Sequence, residues 1–157
     1  MSYEITKTIQ GEDVPFSNPA KEFYSALGYD GMKDLMYRFY DKIYESEIAT
    51  FFPQDEDEFN EIKEKNTLFF IQICGGPKIY DESLEDKGLN EYMIRIHDDF
   101  SIYEKSRLEW LGCMEEALKE TDMDQTLKDN FWDYVERFSK LTVNTFNEES
   151  KYMASLQ

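Results

Sequence analysis

The stretch Glu91–Ile102, EYMIRIHDDFSI, holds the sole histidine of a 157-residue chain. Imidazole titrates near neutrality, and its neutral form is the commonest metal ligand. On an apolar, helix-like stretch, however, a lone histidine is more often a hydrogen-bonded core or boundary residue than a ligand. The rest of the chain therefore has to decide what His97 does.

The length suits one domain with one substantial core. Apolar residues make up 41% of the chain, and 12 Phe, 11 Tyr and 2 Trp promise an interior built from flat, bulky rings. Acidic residues outnumber basic ones by 34 to 17, giving a formal charge of -17. That charge repels phosphate backbones and anionic headgroups, so neither nucleic acid nor a membrane surface is expected as a partner. The start, MSYEITKTIQGED, lacks the basic and apolar regions of a signal peptide, and no apolar run approaches the roughly 18 residues of a membrane span. A cytoplasmic location is the expectation. Cys74 and Cys113 are too few for a disulfide framework and are expected to be small buried hydrophobes.

Periodicity predicts helices. Residues 1–21 carry Pro15 and Pro19 without sustained periodicity and read as an irregular extension. From 32 to 46, Leu35, Phe39 and Ile43 run beside Met36, Tyr40 and Tyr44 as two i,i+4 rows, ending before Pro53 and the acidic turn DEDE. From Phe59 the stripe continues through Ile62, Phe69, Phe70 and Ile73, with polar Asn66 in its middle. Gly75, Gly76 and Pro77 break it and open a long loop. NEYMIRIH is a short helix with His97 near its end. SIYE at 101–104 fits a capping box and predicts a helix start at Ser101. That helix presents Trp110, Leu111, Met114, Ala117 and Leu118. A last helix, about 125–146, buries Leu127, Phe131, Tyr134, Val135, Phe138 and Leu141. No strand pattern or internal repeat is apparent.

Several chemistries fail on spacing. A di-iron bundle needs Glu-x-x-His, but Ile94 stands three residues before His97. Zinc sites need closely spaced ligand pairs, and Cys74, His97 and Cys113 are scattered. DEDEFN has Asn60 where a calcium loop needs glycine. GGP lacks the spacing and lysine of a phosphate loop. A serine or cysteine nucleophile would depend on His97 by fold alone. What survives is an all-helical, aromatic-rich domain with one histidine, and with Tyr40, Asn66 and Trp110 on otherwise apolar faces. Such a pocket suits haem, where a histidine bonds iron, apolar walls hold the macrocycle and distal donors meet a bound gas.

At these residues the chain resembles the group II truncated haemoglobins. The likeness runs from EFYSALG at Glu22 to about Phe146, through RFYDKIYE at 38–45, FFPQD at 51–55, FFIQICGGPKIY at 69–80, RIHDDFSI at 95–102 and EWLGCM at 109–114. It divides the chain into the extension 1–21, a globin domain 22–146 and a tail 147–157.

The resemblance implies an all-α, globin-like two-over-two helical sandwich around haem b, with His97 as the proximal iron ligand. Tyr40 and Trp110 match the distal donors, Phe52 the aromatic packed on the haem, and Asn66 a distal position. Ile62 stands where a distal histidine would be. Lys65 matches the basic residue near a propionate, with Tyr80 a second contact. Relatives carry arginines one and three residues before the histidine, where this chain has Ile96 and Ile94 with Arg95 between. Asp98 and Asp99 are candidates to accept from the second ring nitrogen of His97.

The implied function is binding of dioxygen, nitric oxide or carbon monoxide at a histidine-ligated iron. Three donors favour slow release, so nitric oxide detoxification, peroxide chemistry or sensing fit better than bulk delivery. Turnover requires a separate reductase. The alternative is a haem-free globin-like helical interaction module.

Overall fold

Among the described residues five helices arise from the periodic segments of the sequence, α1 Lys21–Tyr44, α2 Glu56–Ile73, α3 Asp86–Ile96, α4 Glu104–Lys119 and α5 Gln125–Thr142, with short 3-10 turns at Glu47–Phe51 and His97–Asp99. They come from a computed structural model that describes residues 3–84 and 86–146; the tail 147–157 lies outside the described residues. The described residues contain no strand. The α1–α2 pair packs on the α4–α5 pair chiefly through α1 and α4, the two-over-two arrangement.

Four helix starts differ from the periodicity; that of α3 is at Asp86 rather than Asn90. α1 begins at Lys21 rather than residue 32, because a leading helical piece meets the main one at Gly28, whose φ of 72° and ψ of 178° break the ladder. α2 begins at Glu56 rather than Phe59. Asp55 caps it by accepting from the Glu58 N–H at 3.1 Å, and Glu56, Asp57 and Glu58 sit at the positive end of the helix dipole. The DEDE run is thus a helix start rather than a free acidic turn.

The end of α2 follows the GG pair. Gly75 N–H donates to the Gln72 carbonyl and Gly76 N–H to the Ile71 carbonyl, with Gly75 at φ 91°, a Schellman closure. A Cβ on Gly76 would stand 2.8 Å from the Ile71 carbonyl oxygen, so both glycines are required, one by conformation and one by space.

The expected capping box at Ser101 does not form. α4 starts at Glu104 with Tyr103 as its N-cap and no side-chain cap bond. The Glu104 carboxylate is drawn elsewhere: it accepts from Thr8 N–H (3.0 Å) and Thr8 Oγ1 (2.6 Å) and pairs with Arg107 at 3.2 Å. Leu127 and Leu141, expected in the core, are only partly buried. Cys74 and Cys113 are buried free thiols.

The core is aromatic. Phe23 of α1 stacks on Phe131 of α5 with centroids 4.4 Å apart, and Tyr134 stacks on Phe138 at 5.4 Å. Residues 3–20 carry no helix, yet they are tied to this core. Arg107, with a fully buried side chain, lies between Glu104 and Glu136 and also donates to the Thr6 carbonyl, the Glu136 carbonyl and Ser139 Oγ. Glu136 accepts from Thr6 N–H and Oγ1, both at 2.9 Å, and Lys140 reaches Thr6 Oγ1. Trp132 Nε1 donates to the Glu4 carbonyl.

Two carboxylates and one guanidinium buried together hold only while every member is bonded. Arg107→Ala leaves both carboxylates without their shared cation and should lower stability by about 3–5 kcal/mol. Thr8→Val removes one hydroxyl donor and should cost about 1 kcal/mol. Urea unfolding followed by helical circular dichroism measures both.

Candidate functional site

The expected site residues fall in two places: Tyr40, Asn66 and Trp110 on α1, α2 and α4, and His97 in the turn after α3. Tyr40 lies on the inner face of α1, buried to 3% exposure, and its hydroxyl accepts from Asn66 Nδ2 at 2.9 Å. The polar residue on the α2 stripe thus meets the polar tip of the tyrosine facing it. Ile62 lies one turn before Asn66 on α2 and is half-buried.

Phe52 follows the 3-10 turn that joins α1 to α2. Its ring stands edge-on to Tyr40 at 6.4 Å and to Phe59 at 5.9 Å. Phe39, adjacent to Tyr40, meets Trp110 of α4 edge to face at 5.2 Å. Tyr40, Phe52 and Trp110 therefore belong to one aromatic cluster, to which Asn66 is hydrogen-bonded through Tyr40.

Burial of the Tyr40 phenol pushes its pKa well above the ordinary tyrosine value, and the Asn66 bond offsets this only in part. The hydroxyl stays protonated at neutral pH. Its oxygen accepts from Asn66, so its hydrogen is left for another acceptor. The two tryptophans differ in the same respect. Trp132 spends its indole N–H on Glu4, whereas the indole N–H of the half-buried Trp110 has no partner among the described residues.

His97 opens the 3-10 turn that follows α3. Its Nδ1 lies 2.6 Å from the Met93 carbonyl, one turn back. A carbonyl can only accept, so Nδ1 carries the proton and Nε2 presents a lone pair. Nε2 has no hydrogen-bond partner among the described residues. Asp98 and Asp99, the expected acceptors, are exposed, and the backbone takes that role because Met93 O is already placed under the ring by helical geometry. Among the described residues no three His, Cys, Asp or Glu side chains group closely enough to hold a metal ion.

The expected outer contacts are more dispersed. Lys65 and Arg95 are exposed, and neither forms an ion pair among the described residues. Tyr80 is half-buried, with its ring edge-on to Phe69 at 5.7 Å; desolvation, helped by Tyr92 and Asp81, pushes its phenol up to about 12. Tyr80 is held by a residue that the periodicity passes over. The buried Gln72 donates to the Asp81 carbonyl at 2.8 Å and accepts from Asp81 N–H at 2.9 Å, clamping the loop after α2. A cavity of about 670 Å³ lies elsewhere, between the N-terminal segment and α5; its lining includes Tyr3, Glu4, Trp132 and Glu136 and none of the expected site residues.

Comparison with known proteins gives the family and the fold. A model of the bacterial-like globin family matches residues 22–144. The group 2 truncated hemoglobin YjbI of Bacillus subtilis (strain 168) is 25% identical over 130 residues, covering 82% of this chain and 92% of that protein. Among solved structures, phosphate-bound Hell's gate globin IV superposes with a TM-score of 0.76 at 26% identity, covering 94% of this chain and 88% of that one. The group II truncated hemoglobin of Bacillus anthracis superposes with a TM-score of 0.68 at 24% identity, covering 80% and 98%. The family match spans most of the chain: it belongs to the bacterial-like globin family.

Proposed function

We propose that this protein is a haem-binding globin that takes up dioxygen and other diatomic gases, nitric oxide and carbon monoxide among them. The observation that carries this reading is the sole histidine, with Nδ1 committed to the Met93 carbonyl and Nε2 uncommitted. That is the state in which imidazole bonds a metal. Family membership supports the same reading.

The residues present fit haem b. Haem, when bound, supplies a reduced iron with a coordination position for a diatomic gas. Neither Cys74 nor Cys113 belongs to a C-x-x-C-H attachment sequence, so the group would be held without covalent bonds. His97 would bond the iron through Nε2. Phe52 and its aromatic neighbours would supply flat apolar contact, and Ile62 would help to keep water out. The exposed cations Lys65 and Arg95 would pair with propionates, with the Tyr80 hydroxyl as a further donor.

On the ligand side, Tyr40 and Trp110 each have a hydrogen to donate to a gas carrying partial negative charge. Asn66 occupies a lone pair of the Tyr40 oxygen and so orients that hydroxyl. Donors in this number favour retention over release. The protein is therefore proposed to use its ligand, in nitric oxide detoxification, peroxide chemistry or sensing, with electrons from a separate reductase. Two unpaired thiols fit a reducing cytoplasm.

Two outcomes test this reading. Tyr40→Phe and Trp110→Leu should each speed dioxygen release from the haem-loaded protein about tenfold, the factor equivalent to about 1.4 kcal/mol of hydrogen bonding. Stopped-flow displacement by carbon monoxide measures it, and unchanged rates in both variants would remove the two residues from the ligand site. Titration gives the second test. The raised Tyr40 pKa means that the folded chain keeps a proton that the unfolded chain sheds near pH 10. The associated stability is fully present below about pH 10 and is lost as pH rises beyond it. Tyr80 and Tyr134 contribute in the same direction. In urea unfolding between about pH 9 and pH 11, Tyr40→Phe should show a shallower alkaline loss than the parent.

A further inference from the structure

Asn144 stands just beyond α5, 47 residues from His97, in a position that periodicity alone marks as polar surface. It is exposed, yet its side chain is fully committed. Nδ2 donates to the His97 carbonyl at 3.2 Å and to the Phe100 carbonyl at 2.8 Å, while Oδ1 accepts from the Ile102 N–H at 2.9 Å. The main chain adds to the clamp: the Asn144 and Thr145 N–H groups both reach the Ile102 carbonyl at 3.1 Å. Carbonyls at the end of a helix lack α-helical partners; that of His97 accepts from the Phe100 N–H at 3.1 Å and keeps a second lone pair for Asn144. Water could satisfy each one separately, but a planar amide with two donors and an acceptor fixes several at once.

The opposite end of the same segment is also anchored. Asn90 of α3, about two turns before His97, is 4% exposed. Its Nδ2 donates to Asn18 Oδ1 at 2.7 Å, and its Oδ1 accepts from the buried Tyr134 hydroxyl at 2.7 Å. Helix α3 is thereby tied to α5 and to the segment before α1. Between Asn90 and Asn144 lies the Nδ1 bond from His97 to Met93, which needs the backbone of the 3-10 turn held at a fixed distance from the last turn of α3.

We infer that Asn144 is a positioning residue for His97, with Asn90 as the second anchor. Together they hold the imidazole with its proton on Nδ1 and its lone pair on Nε2, and so set the strength of the bond that Nε2 makes. The link to iron rests on the haem-binding reading; the positioning of the ring does not.

A chain with one histidine gives one imidazole pattern in a long-range proton–nitrogen correlation spectrum, so the ring can be read without haem. The parent protein should show Nδ1 protonated and Nε2 bare. In Asn144→Ala the two nitrogen shifts should move toward each other as the proton is shared with Nε2. Asn144→Asp keeps the acceptor for Ile102 but sets a carboxylate against the His97 and Phe100 carbonyls, and it should do the same. Asn130→Ala, which removes an exposed α5 amide bonded to Ala20, should leave the pattern unchanged.

In the ferrous haem-loaded protein, the iron–histidine stretching band should fall in frequency and broaden in both Asn144 variants. Variants with parent-like helix content, an unmoved imidazole pattern and an unmoved band would overturn the proposal. A parent chain that binds no haem would end the haem-binding reading, while the imidazole pattern alone would still decide the role of Asn144.

Discussion

The account depends on one hydrogen bond, from His97 Nδ1 to the Met93 carbonyl. Imidazole has two nitrogens, and a ring free to choose would divide its proton between them. A carbonyl one turn back removes that choice, because it can only accept. The consequence is a bare Nε2 in a chain that has no second histidine and, among the described residues, no cluster of other metal-binding side chains. The surrounding structure maintains this condition. Asn144 fixes the turn from its C-terminal side, Asn90 fixes α3 from the other, and α5 with its trailing segment carries partners for both.

The segment before α1 lies outside the span matched by the globin family, yet the fold uses it throughout. Its backbone and threonine hydroxyls supply donors to Glu104 and Glu136, and Arg107 bridges those carboxylates while donating back to the Thr6 carbonyl. Tyr3 and Glu4 cover Trp132, through a ring stack at 4.8 Å and a hydrogen bond to the indole. Asn18 completes the bonding of Asn90. A polar network of this kind holds a segment without helix or sheet, because its backbone groups are satisfied by side chains that would otherwise be buried charges.

The helices were legible because their apolar residues recur at helical spacing, and that pattern is local. Asn66 was legible for the same reason, as a polar interruption of an apolar stripe, and its contact with Tyr40 accounts for it. The departures from local pattern have non-local causes. Ser101 to Glu104 has the composition of a capping box, but Thr8 and Arg107 compete for the glutamate from elsewhere in the fold. Gly28 separates two helical pieces, the first too short to show a period. Gln72, Asn90 and Asn144 read as ordinary polar residues because each bonds to groups that only the fold brings near. The acceptor for His97 could have been found from spacing, since a helical carbonyl stands four residues before every helical side chain.

The central claim is that His97 bonds a haem iron. The most direct measurement is the visible absorption spectrum of the reduced protein titrated with haem, before and after carbon monoxide. The account predicts saturation at one haem per chain, with a sharp Soret band that carbon monoxide shifts and that His97→Ala alters or abolishes. A spectrum indistinguishable from free haem at every ratio would contradict it, leaving a globin fold whose interior is filled by its own side chains and whose work is done through other proteins.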